Sequence, residues 1–138
     1  MVLRERWNVT VAPNDLVWVL GDVALGRGAL IDFAKWNGRK NLVRGNHDKE
    51  DEALYRSTFE KIHGAIKVRG VWLTHVPIHP DELYGRANIH GHVHLNTIML
   101  PGTKLVDKRY TNVCIEAYEG WPQDFIKMAA RAKRSYSK

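Results

Sequence analysis

The sequence predicts an α/β domain, and three observations carry that expectation. Short apolar runs bounded by glycine alternate with segments whose apolar residues recur at helical spacing. A length of 138 residues, 44% hydrophobic and 26% charged, suits one chain segment folding around one core, so residues 1–138 are expected to form a single domain. Four of the apolar runs also stop at residues of metal-ligating or proton-carrying type. In α/β sheets, functional groups gather beyond the carboxyl ends of the strands.

Residues 1–9 have Leu3 and Trp7 spaced i, i+4, as the remainder of a helix would. Pro13-Asn14-Asp15 marks a turn, and residues 16–20 read as a buried strand ending at Gly21-Asp22. Residues 29–37 read as a helix with Leu30, Phe33 and Ala34 on its apolar stripe and Gly38 as its stop. A brief strand at 41–44 runs into Gly45-Asn46-His47-Asp48. A second helix is expected over 50–63. Acidic residues crowd its first turn, Leu54, Thr58, Phe59 and Ile62 share a face, and Gly64 closes it.

Strands at 65–69 and 71–74 flank a turn at Gly70, and His75 follows the second at once. Pro77 and Pro80 stiffen the next loop. A strand at 87–89 leads into His90-Gly91-His92-Val93-His94, where three histidines fall within five positions. In an extended segment alternate residues share a face, so these three could point together; the bland alternative is a histidine-rich surface turn. Residues 95–108 show only the turn Pro101-Gly102 and the hint of a hairpin. A longer strand is expected at 110–118, with Cys114 as a small core hydrophobe. A final helix at 123–134 places Phe125, Met128, Ala129 and Ala132 on one stripe, with Pro122 at its start.

No run of about 18 apolar residues and no apolar leader appear, so neither a membrane span nor a signal peptide is expected. The single cysteine excludes an intramolecular disulfide framework and fits a reducing cytoplasm. The net charge of +6 favours anionic partners such as phosphate esters or nucleotides. Much of the excess lies in Lys127, Arg131, Lys133, Arg134 and Lys138, which read first as the solvated end of a helix and second as a nucleic-acid surface.

Four strands ending alike would bring Asp22, Asn46, His75, His92 and His94 to one cleft. A carboxylate, an amide oxygen and several imidazoles, with no thiolate, suit Mn, Fe, Zn, Ni or Co. Such a cation can generate a nucleophile from water at neutral pH, and a histidine beside it can serve as general acid. His47-Asp48 has that composition.

Gly21-Asp22, Gly45-Asn46-His47-Asp48, His75 and Gly91-His92-Val93-His94 occur in the order and rough spacing of the calcineurin-like metallophosphoesterases. The chain resembles the small bacterial and phage members of that family from about Trp7 to the last helix. The resemblance implies an α/β/β/α sandwich of mixed sheets flanked by helices. It implies that Asp22 bridges two metals, that Asn46, His75 and His92 complete one site, and that His94 belongs to the other. It also implies that His47 protonates the leaving group with Asp48 orienting it. The reaction would be hydrolysis of a phosphomonoester or phosphodiester by metal-bound water or hydroxide.

One motif departs from the pattern. The family begins with Asp-x-His on its first strand, and this chain has no Asp-x-His. Asp22 and His94 alone are too few for a strong second site. The expectation is a domain lacking its first strand, with one complete metal site and one incomplete. Three explanations stand: a shortened form of a longer enzyme, a one-metal variant, or a scaffold that binds a phosphate-bearing partner without catalysis. His79 and His90 are candidate substitute ligands, with readings as a loop residue and a supporting residue beside them. An uncovered sheet edge would also favour a homodimer.

Overall fold

The computed structural model describes residues 2–137. Lys138 of the basic run lies outside the described residues. The first half of the chain builds α1 (Val2–Thr10), β1 (Leu16–Val19), α2 (Arg27–Phe33), β2 (Arg39–Val43), α3 (Glu52–Thr58) and β3 (Lys61–His63). The three strands form one parallel sheet in the order β1-β2-β3, with Leu16 opposite Arg39 and Asn41 opposite Lys61. Side-chain alternation gives this sheet two different faces. Val19 and Leu42 pack with Leu30 and Phe33 of α2 and with Tyr55 and Phe59 around α3. Trp18 and Val43 face the other way, into a cluster shared with the second sheet.

The second sheet has the order β4-β5-β6-β7, made of Ala65–Val68, Val71–Thr74, Asn88–His90 and Tyr110–Asn112. β4 and β5 form a hairpin whose two turn residues, Arg69 and Gly70, both have positive φ (53° and 79°), the pairing that matches strand twist. β5, β6 and β7 run parallel. Val71, Leu73 and Ile89 pack on Met128, Ala129 and Ala132 of α4 (Phe125–Ser137). The expected stripe of the last helix is therefore its buried face. Leu73 is 1% exposed at the centre of this cluster. Leu73→Ala is expected to cost about 2–5 kcal/mol, read as a lower urea midpoint at an unchanged slope.

The architecture is α/β with two sheets, as expected, but three boundaries differ. The helix expected at 50–63 ends at Thr58. The Ser57 and Thr58 hydroxyls fold back onto the Leu54 carbonyl, and Phe59 turns extended. Residues 61–63 then pair with β2, and Glu60 N–H donates to Lys40 O at 2.8 Å. Phe59 and Ile62 satisfied a helical spacing, but strand pairing offers the same apolar burial together with a ladder of hydrogen bonds.

The strand expected at 110–118 stops at Asn112, because the Asn112 amide oxygen takes the Cys114 N–H at 2.9 Å and pulls the chain out of the ladder. Residues Ile115–Tyr118 form a 3-10 turn instead. The helix expected at 29–37 ends at Phe33, and i+3 bonds tighten the chain after it so that Trp36 meets Phe33 and Trp7 edge-on. The hint of a hairpin at 95–108 is realised as a bridge between Met99 and Val106. No helix among the described residues is long and apolar enough to cross a membrane.

Candidate metal centre

The cluster forms where loops leave the carboxyl ends of β1, β2, β5 and β6. His75 is its buried centre, 4% exposed. Its Nδ1 lies 2.6 Å from the Leu20 carbonyl oxygen. A carbonyl only accepts, so Nδ1 carries the proton and donates it, and Nε2 keeps a bare lone pair. Around that Nε2 lie Asn46 Oδ1 at 2.9 Å, His92 Nδ1 at 3.1 Å and Asp22 Oδ2 at 3.2 Å. Ligand atoms of Asp22, His75 and His92 all fall within 4.8 Å of one another.

A carboxylate oxygen, an amide oxygen and two imidazole nitrogens converge here, and His92 Nδ1 donates to His75 Nε2 in one of its two tautomers and is a further lone pair in the other. The Asp22 and Asn46 oxygens and the His75 Nε2 lone pair repel one another unless a proton or a cation lies between them. A divalent metal satisfies all four at once, and an imidazole whose other nitrogen is tied to a carbonyl is the usual arrangement of a metal-ligating histidine. The residues present therefore fit the metal that their composition predicts.

Two glycines let the loops come this close. A Cβ on Gly21 would stand 2.6 Å from Gly45 Cα and from His75 Nδ1. A Cβ on Gly45 would overlap the Asp22 carboxylate. Asp22, His92 and His94 also hold left-handed backbone, with φ of 52°, 71° and 55°. Such conformations cost roughly 1–3 kcal/mol each in non-glycine residues and cluster at functional sites.

The remaining expected site residues lie elsewhere or act differently. His94 is not among the three whose ligand atoms converge. Its side chain is 79% exposed, and its Nδ1 meets Glu116 Oε1 at 3.3 Å. Left-handed backbone at His92 and His94 breaks the extended alternation on which a shared face depends. His47 is exposed beside the cluster, and its backbone N–H donates to Asp22 Oδ1 at 2.8 Å.

Asp48 corrects its expected role. Its carboxylate accepts the backbone N–H groups of Asp22, Val23 and Gly45, so it holds backbone in place of orienting the His47 ring. His79 caps the turn Pro80–Glu82 by accepting the Asp81 N–H, and it is exposed. His90 is 1% exposed, donates from Nδ1 to the Gly91 carbonyl and packs on Tyr110. Burial holds its pKa below the usual histidine value, so it stays neutral. Burial likewise pushes the Cys114 thiol up, which keeps it protonated and unreactive.

Three contributors were missed. The Leu20 carbonyl fixes the His75 tautomer, but a backbone atom leaves no trace in composition. Asn88 is fully buried and braces the loop after His75, accepting Ile78 N–H and donating to Thr74 Oγ1. A polar residue opening a buried strand was the available signal. Glu116 falls within the strand expected at 110–118, and the 3-10 turn Ile115–Tyr118 instead brings it to His94.

No protein-family profile matches the chain. The chain is 26% identical to the Gene 66 protein of Mycobacterium phage D29 over 161 aligned positions, covering 91% of this chain and 79% of that protein. It is 32% identical to the Gene 66 protein of Mycobacterium phage L5 over 123 positions, covering 79% of this chain and 54% of that protein. Among solved structures, a protein of unknown function from Aquifex aeolicus superposes with a TM-score of 0.65 at 24% identity, covering 92% of this chain and 81% of that one. At that identity the likeness extends to the fold, a mixed α/β arrangement of two sheets and helices.

Proposed function

We propose that this protein is a metal-dependent phosphoesterase of the metallophosphoesterase type, its two sheets and helices forming the α/β/β/α sandwich of that class. The observation that carries the reading is the bare His75 Nε2 with Asn46 Oδ1, His92 Nδ1 and Asp22 Oδ2 gathered around it at 2.9–3.2 Å. Asp22, Asn46, His75 and His92 would hold the cation. When bound, a divalent cation there supplies positive charge for phosphoryl oxygens and acidifies water.

The chain's own residues set up the rest. The Leu20 carbonyl holds the Nδ1 proton of His75 and keeps Nε2 directed at the cluster. His47, exposed and tied to Asp22 through its backbone, donates a proton to the departing alkoxide. The substrate is a phosphomonoester or phosphodiester, in keeping with the net charge of +6.

The separation of His94 from the converging donors favours a second reading, a one-metal domain that binds a phosphate-bearing partner without turning it over. Titration with Mn, Fe, Zn, Ni and Co, alongside hydrolysis of a generic aryl phosphomonoester and phosphodiester, separates the two. About one cation per chain with metal-dependent turnover is the expected result. One cation with no turnover under any of these metals selects the second reading. No bound cation overturns both.

A further inference from the structure

We infer that Asp48 is a positioning residue for the metal ligands: its buried carboxylate clasps the two loops that carry Asp22 and Asn46 and so sets the affinity of the site. This rests on the metal-binding reading above. Asp48 is 4% exposed, and its carboxylate is spent on backbone amides: Asp22 N–H at 2.8 Å and Gly45 N–H at 2.7 Å on Oδ2, and Val23 N–H at 2.9 Å on Oδ1. Bonds of this kind, from N–H to an ionised acceptor, are about twice as strong as neutral ones. The clasp is reciprocal. The loop after β2 offers the Asp48 carboxylate to the loop after β1, and it receives the Asp22 carboxylate on the His47 N–H at 2.8 Å.

The arrangement explains how Asp22 is held. With φ at 52°, Asp22 holds left-handed backbone, and the bond from its N–H to Asp48 helps to keep it there. Its Oδ1 is tied to His47 N–H, which leaves Oδ2 facing His75 at 3.2 Å. Gly45, whose N–H bonds Asp48, immediately precedes Asn46, whose Oδ1 is the neighbouring donor to the site. One carboxylate thus fixes the backbone beneath two of the four donors. The burial of a charge that touches no donor of the cluster itself is accounted for by this role.

Asp48→Asn keeps the size but sets an amide N–H₂ against N–H donors, so the clasp loses bonds that it cannot replace. The expected effect is about 10–100-fold weaker Mn binding, the range typical for partners that orient ligands. Met128→Ala on α4 serves as a control. It weakens the core away from these loops and is expected to leave the Mn affinity of the folded protein unchanged. Amide hydrogen exchange on the metal-free wild-type chain gives a readout independent of any variant's folding. The Asp22, Val23 and Gly45 amides are expected to be protected although they lie in loops.

Unprotected amides overturn the inference. So does an Asp48→Asn protein that binds Mn as the wild type does, or a Met128→Ala protein that loses affinity equally. These outcomes leave the metal-binding reading intact, provided that the wild type binds Mn. A wild-type chain that binds no Mn overturns that reading and this inference with it.

Discussion

His75→Ala is expected to lower the affinity for a divalent metal by more than the roughly 10–100-fold that removal of an outer-shell partner brings. His75 Nε2 lies 2.9, 3.1 and 3.2 Å from the other three candidate donor atoms, so its loss removes a donor and uncouples the remainder. The check is thermal or urea unfolding with and without metal. At a metal concentration 100 times the wild-type Kd, binding stabilises the folded state by about 2.7 kcal/mol. A 100-fold weaker site retains only about 0.4 kcal/mol under the same conditions. The metal-free stability should change less than the loss of a buried side chain suggests, since removing Nε2 also relieves its crowding against the Asn46 and Asp22 oxygens. A His75→Ala protein with the wild-type metal-induced shift would place the cation elsewhere.

His47→Ala is expected to cut phosphoester hydrolysis by about 10²–10⁴ while leaving metal bound, the usual contribution of a positioned general acid. The His47 link to Asp22 runs through the backbone N–H, so truncating the ring leaves that bond in place. The effect should fall on kcat more than on KM, and it should depend on the leaving group. A para-nitrophenyl ester departs readily without a proton and will show the smaller loss, whereas an alkyl ester needs the proton and will show the larger. Equal losses for both esters would remove His47 from the role of general acid.

The sequence made the strand-end pattern legible because each element involved is short and locally specified. An apolar run followed by a polar residue, with glycine between them at Asp22, Asn46 and His92 and directly at His75, says where a strand stops and what stands beyond it. Where two periodicities competed, local reading failed. Residues 59–63 carry apolar side chains at spacings that suit a helix or a strand, and pairing with Asn41–Val43 decided between them. At Asn112 a single side-chain-to-backbone bond ended a strand whose composition would have continued. Left-handed backbone at His92 and His94 likewise came from the loop's closure, and it undid a face-sharing argument that assumes extended chain.

By itself, then, the sequence determined the α/β class, the order of the elements except β3, the helix stripe that α4 buries, and which residue types stand at the strand ends. These follow from hydrophobic spacing and from glycine, which act within a few residues. Only the tertiary structure decided which of those residues share a centre and what each one does there. The tautomer of His75 depends on a carbonyl 55 residues away, and the work of Asp48 depends on amides 25 and 26 residues away. Hydrogen bonds to backbone atoms carry no residue-type signature, so they become readable only when the fold brings their partners within 3 Å.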